Sequence, residues 1–161
     1  MKRKRMNFFV GVGLVLILSV ILTGASLAAQ KMLEVSSSEQ KIDFENQVFI
    51  YKGEVKATWE DIVLEADEME VYLTEENTLR EIVARGNVKV IQEEENRQIN
   101  GESAIITADD RLIMEGQVHY QDELGNTIQA HKMTIWMETG KIEAEGTPVK
   151  AIYVLEELEE E

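Results

Sequence analysis

A short phrase that returns four times constrains this 161-residue chain more than any other feature. Tyr51-Lys52-Gly53-Glu54-Val55, Ala84-Arg85-Gly86-Asn87-Val88, Met114-Glu115-Gly116-Gln117-Val118 and Ala144-Glu145-Gly146-Thr147-Pro148-Val149 place their glycines 33, 30 and 30 residues apart. Self-similarity at a fixed period means one supersecondary unit stacked on copies of itself. A second phrase follows each of the first three: residues 64–71, 99–106 and 128–135. In all of them apolar and polar residues alternate at period two, the signature of half-buried strands. Each second phrase also slips by one residue. Leu64 and Ala66 share one parity and Met69 and Val71 the other; Ile99/Gly101 against Ala104/Ile106 and Ile128/Ala130 against Met133/Ile135 repeat it. A slip of one is what a β-bulge produces, so the strands are expected to bend at a common level. Mid-strand glycine weakens a strand unless a bend or a close backbone approach needs it, so its recurrence points to a curved, two-layered sheet.

Polar turns such as Glu75-Glu76-Asn77, Glu93-Glu94-Glu95-Asn96, Asp109-Asp110, Leu124-Gly125-Asn126 and Thr139-Gly140 separate the strands. Three and a half repeats predict an all-β domain of about eight or nine antiparallel strands over residues 42–154, a twisted jelly roll or U-shaped β-sandwich. A polar linker is expected at 29–41, around Ser36-Ser37-Ser38, and an acidic tail at 155–161.

The first four charges, Lys2, Arg3, Lys4 and Arg5, precede an apolar run from Phe8 to Leu22. That is the n-region and h-region of a secretory signal, with small residues at Ser26 and Ala28 that suit cleavage after Ala28. Uncleaved, residues 8–29 are long enough to anchor the chain in a bilayer. Either way the basic end stays in the cytoplasm and the remainder is exported. Without those four residues the chain keeps 12 basic against 31 acidic residues, a net charge of -19.

That charge makes nucleic acid a poor partner, since phosphate-backbone affinity rests on Lys and Arg. With no cysteine and only two histidines, His119 and His131, thiolate and imidazole chemistry have little to work with. No G-x-S-x-G elbow accompanies the serines, and the carboxylate runs Glu65/Asp67/Glu68/Glu70, Glu93–Glu95 and Asp109/Asp110 lack a D-x-D-x-D-G loop. They read as solvated faces. The chain is therefore expected to bind rather than catalyse, with no cofactor and no metal.

The phrases ARGNVKV, MEGQVHY and EAEGTPV, alternating with LEADEMEV and IQAHKMTI, resemble the OstA-type N-terminal domain shared by the lipopolysaccharide-transport proteins LptA, LptC and the amino-terminal part of LptD. The resemblance spans roughly Ile42 to Val154 and implies a twisted β-jelly roll. It implies a periplasmic protein that holds lipopolysaccharide by its lipid A acyl chains and bridges inner to outer membrane by end-to-end stacking. Partners would be lipopolysaccharide, other jelly-roll Lpt components at both sheet edges, and further copies of the chain head to tail. An uncleaved N-terminal helix would make it resemble the membrane-anchored LptC instead.

On alternation alone, the inward positions Tyr51, Val55, Leu64, Met69, Val71, Val88, Ile106, Met114, Val118, Met133 and Ile135 read either as ordinary core or as the lining of an apolar trough. The resemblance adds the trough. Met69, Met114, Met133 and Met137 fit either role, as thioethers fill irregular volumes. Trp59 falls on the apolar face and Trp136 on the opposite one, where it could mark a contact surface. An exported β-sandwich that binds polysaccharide or protein is the alternative of another class, although 6% aromatic residues offer little stacking surface for sugars.

Overall fold

Alternation at period two resolves into ten antiparallel strands in a computed structural model, which describes residues 32–155. The expected signal or anchor segment, 1–28, and the acidic tail beyond Leu155 lie outside the described residues. Among those described, every regular element is a strand: β1 (Glu34–Ser36), β2 (Glu39–Asp43), β3 (Val48–Trp59), β4 (Ile62–Leu73), β5 (Leu79–Gln92), β6 (Arg97–Thr107), β7 (Arg111–Gln121), β8 (Thr127–Trp136), β9 (Lys141–Glu145) and β10 (Lys150–Ile152).

The strands form one up-and-down sheet in which β3 to β8 pair in chain order. β1 and β2 lie end to end along the outer edge of β3, and β9 and β10 do the same along β8. The two edges are not joined, so the sheet is open. Counting each broken edge once gives eight strand positions.

The linker expected at 29–41 is corrected, because its residues from Glu34 onward supply β1 and most of β2. The signal was weak for a physical reason. Edge strands need little burial, and Glu34, Ser36, Glu39, Gln40 and Lys41 are exposed and held by backbone pairing to β3.

The phase slip has a concrete form. Between Lys52↔Glu68 and Val55↔Ala66, residues Gly53-Glu54 on β3 face Asp67 alone. Gly86-Asn87 on β5 face Glu102, and Gly116-Gln117 on β7 face His131, in the same way. Both residues of each bulged pair are left-handed, with φ of 77° and 48° at Gly53-Glu54, 77° and 48° at Gly86-Asn87, and 81° and 45° at Gly116-Gln117. Only glycine accepts the first position without strain and without collision: a Cβ on Gly86 would stand 2.3 Å from Asp67 Oδ2 and 2.9 Å from its Cβ. The glycine strands keep their phase, and β4, β6 and β8 show the slip.

Bending at that level makes two layers from one sheet. Ile62 and Leu73, at opposite ends of β4, line the same groove, whereas a straight strand of 12 residues would hold them roughly 36 Å apart. No strands other than sheet neighbours approach within 8 Å between Cα atoms, as expected for layers about 10 Å apart. The enclosed face forms one apolar cluster from Tyr51 to Ile135, and among the described residues no polar or charged residue is fully buried.

Candidate functional site

The bend leaves one side of the two-layered sheet incompletely closed. There a groove of about 610 Å³ opens, walled on one side by Met32, Leu33, Trp59 and Ile62, from the start of β1 and the β3–β4 turn. The other wall comes from the far ends of the same and later strands: Val71 and Leu73 of β4, Leu79 and Ile82 of β5, and Ile106 of β6, with Ala108 and Met137 beyond. Ile62, Val71, Ile82 and Ile106 form a buried floor, and Leu33, Trp59, Leu73 and Met137 are half-buried sides. At the mouth Leu79 is 38% and Met32 81% exposed. Glu60, Asp61, Gln92, Thr107, Asp110 and Glu138 complete the lining, and no described lysine or arginine takes part.

Such a surface suits aliphatic chains. Each methylene moved into it from water contributes roughly 0.8 kcal/mol. The volume takes on the order of 20 groups the size of a water molecule, at about 30 Å³ each.

The sequence-derived trough residues divide. All eleven, Tyr51, Val55, Leu64, Met69, Val71, Val88, Ile106, Met114, Val118, Met133 and Ile135, are buried in one cluster, between 0% and 9% exposed. Only Val71 and Ile106 also line the groove; the other nine pack between the layers. Burial pushes the Tyr51 and Tyr120 hydroxyls above their ordinary pKa. The mouth residues Met32, Leu33, Leu73, Leu79 and Ala108 were missed, because they stand at strand ends where alternation has run out. Their signal is an apolar residue directly beside a polar turn, as in Leu73 before Thr74-Glu75-Glu76.

Outside the layers the carboxylate runs take part in cross-strand pairs. Glu65 meets Lys56 at 4.0 Å, Glu68 meets Lys52 at 3.1 Å, and Asp67 accepts a 2.8 Å hydrogen bond from the Asn87 amide. Glu70 accepts hydrogen bonds from the Tyr72 hydroxyl at 2.7 Å and the Arg85 guanidinium at 3.1 Å, which hold its carboxyl below the usual range. Trp136 lies on this outer face, half-covered, with the Lys141 ammonium 4.5 Å from its ring centre. His131 is exposed at its bulge and His119 half-buried on the outer side of β7.

Comparison with known proteins adds an independent line. The family model described as LptA/(LptD N-terminal domain) LPS transport protein matches residues 34–141. The crystal structure of LptH, the LptA homologous periplasmic component of the conserved lipopolysaccharide transport device from Pseudomonas aeruginosa, is similar over 78% of this chain and 96% of that one. The TM-score is 0.72 at 13% identity, a likeness of fold. No curated protein sequence matches.

Proposed function

This chain belongs to the family of LptA and the LptD N-terminal domain, lipopolysaccharide-transport proteins, and from that premise we propose that its exported domain works in the periplasm as one link of a lipopolysaccharide bridge. Acyl chains of lipid A enter the groove between Trp59 and Met137, and the sugar and phosphate part stays in solvent. The protein binds and passes the lipid on, and catalyses no reaction. The observation that carries this reading is the groove: apolar walls, an open mouth and no basic lining residue, in a fold that otherwise encloses its apolar face.

Stacking uses the open edges. β1/β2 and β9/β10 leave their outer backbone groups to a neighbour, and Ile152, Tyr153, Val154 and Leu155 leave an exposed apolar strip beside the C-terminal edge. A heterologous contact of this kind joins copies head to tail, or joins this domain to another of the same fold.

The test is native mass spectrometry of the protein recovered from the envelope of a lipopolysaccharide-producing host. Wild type is expected to carry the lipid, and Leu79→Asp at the mouth to lose it while keeping its β-sheet circular dichroism. A lipid-free wild type, or a Leu79→Asp variant loaded equally, overturns the assignment of the groove.

A further inference from the structure

Two turns set the charge at the groove mouth. Glu60-Asp61, between β3 and β4, and Asp110, between β6 and β7, line it together with Glu138 after β8. The field continues beyond the groove, since Glu60 and Asp61 join Glu93 and Glu94 around an adjacent hollow of about 500 Å³ lined by carboxylates alone. Cations on neighbouring elements are engaged elsewhere. Arg80 pairs with Glu81 at 3.3 Å and lies 4.8 Å from the Tyr72 ring centre, Arg111 pairs with Asp109 at 2.7 Å, and Lys141 pairs with Glu143 at 2.6 Å. Apolar walls beside a charged rim concentrate the field that a head group meets on entry.

Building on the groove assignment above, we propose that Glu60, Asp61, Asp110 and Glu138 are specificity-determining residues that select lipids by head-group charge. The groove admits aliphatic chains whose head group is cationic or neutral and disfavours uncompensated anions. An anionic lipid enters with its phosphates paired to divalent cations. Attraction comes from the chain and discrimination from the rim, and the repulsive element supplies the specificity. Because the rim is solvated, the effect depends on salt: the screening length is about 30 Å at 0.01 M ionic strength and about 3 Å at 1 M.

Three amphiphiles with one tetradecyl-length chain test this on the exported protein by displacing the uncharged fluorophore N-phenylnaphthylamine. They are tetradecyltrimethylammonium, myristoyl lysophosphatidylcholine and tetradecyl phosphate, each below its micelle concentration. At low salt the cation is expected to bind roughly tenfold more tightly than the phosphate, a difference of about 1.4 kcal/mol, with the zwitterion between them. The order should collapse at 1 M salt, and magnesium should strengthen only tetradecyl phosphate. Glu60→Gln/Asp61→Asn/Asp110→Asn/Glu138→Gln should bind all three alike, and the milder Asp110→Asn/Glu138→Gln should narrow the gap if the fourfold variant does not fold. Equal affinities in wild type at low salt, or an order that survives in the variants, overturns the selection by charge. If no amphiphile displaces the fluorophore, the groove assignment itself fails.

Discussion

Replacing Gly86 with alanine tests whether the repeated glycine imposes the bend. At φ +77° a side chain incurs the left-handed penalty, about 1–2 kcal/mol. The new Cβ would also stand 2.9 Å from Asp67 Cβ, a branch point close to the backbone that cannot swing away as a side-chain tip can. Overpacking of that kind adds roughly 1–3 kcal/mol. Gly86→Ala should therefore lose about 2–5 kcal/mol in all. Gly125→Ala is the control: φ there is +84°, but the nearest atom to a Cβ is Val154 Cγ2 at 3.6 Å, ordinary contact, so only the backbone penalty remains. Urea unfolding followed by fluorescence of Trp59 and Trp136 measures both, with an unchanged slope showing that surface exposure on unfolding is the same. Asp67→Gly should suppress part of the Gly86→Ala loss. The full double-mutant cycle is needed, since Asp67→Gly alone forfeits the hydrogen bond from Asn87. If Gly86→Ala and Gly125→Ala agree within about 0.5 kcal/mol, the contact relaxes freely and the close approach at the bulge does not matter.

Other expectations follow from the same geometry. Met114→Ala and Met133→Ala, both 0% exposed, should each lose about 2–5 kcal/mol in urea unfolding, and Leu79→Ala at the mouth much less. Because Glu70 has a lowered pKa in the folded state, its stabilising effect is present above the unfolded value of about 4.3 and lost as pH falls through the folded one. Tyr72→Phe removes the main cause, so its acid-unfolding midpoint should lie at higher pH than that of wild type; an unchanged midpoint contradicts the assignment. Ile152→Lys/Val154→Lys should weaken head-to-tail association in sedimentation velocity without lowering the thermal midpoint.

Much of the fold was legible because two independent periods agree. Alternation gave the strands, and the one-residue slip at Ala66/Met69, Gly101/Ala104 and Ala130/Met133 marked the level of the bend before any coordinates. The chain distributes the irregularity between partners: two left-handed residues on the glycine strand and a lost alternation on its neighbour. Only the second is visible as parity. β1 and β2 stayed hidden because pairing to β3, rather than burial, holds them, and pairing leaves no hydrophobic trace. The groove was half legible. Val71 and Ile106 were found through the alternation that buries them, but alternation alone does not separate a residue sealed between layers, such as Met114, from one at the opening. That separation depends on how far the layers splay, which is set by the summed geometry of three bulges.

The size of the groove bears on whether the lipid is stored or relayed. About 20 methylene-sized groups at 0.8 kcal/mol each give a gross transfer term near 16 kcal/mol if every one is fully withdrawn from water. The open mouth, with Met32 81% exposed, leaves part of that unrealised, and association itself costs an estimated 4–15 kcal/mol. The balance falls near or above a micromolar dissociation constant, about -8 kcal/mol. With association at roughly 10⁶ M⁻¹s⁻¹, a micromolar complex dissociates in about a second. Stopped-flow transfer of a fluorescent acyl lipid to acceptor vesicles should accordingly show release in seconds or faster, at a rate independent of acceptor concentration. Retention for hours would mean that the layers close over the chains, and the domain would then be a storage vessel rather than a link in a relay.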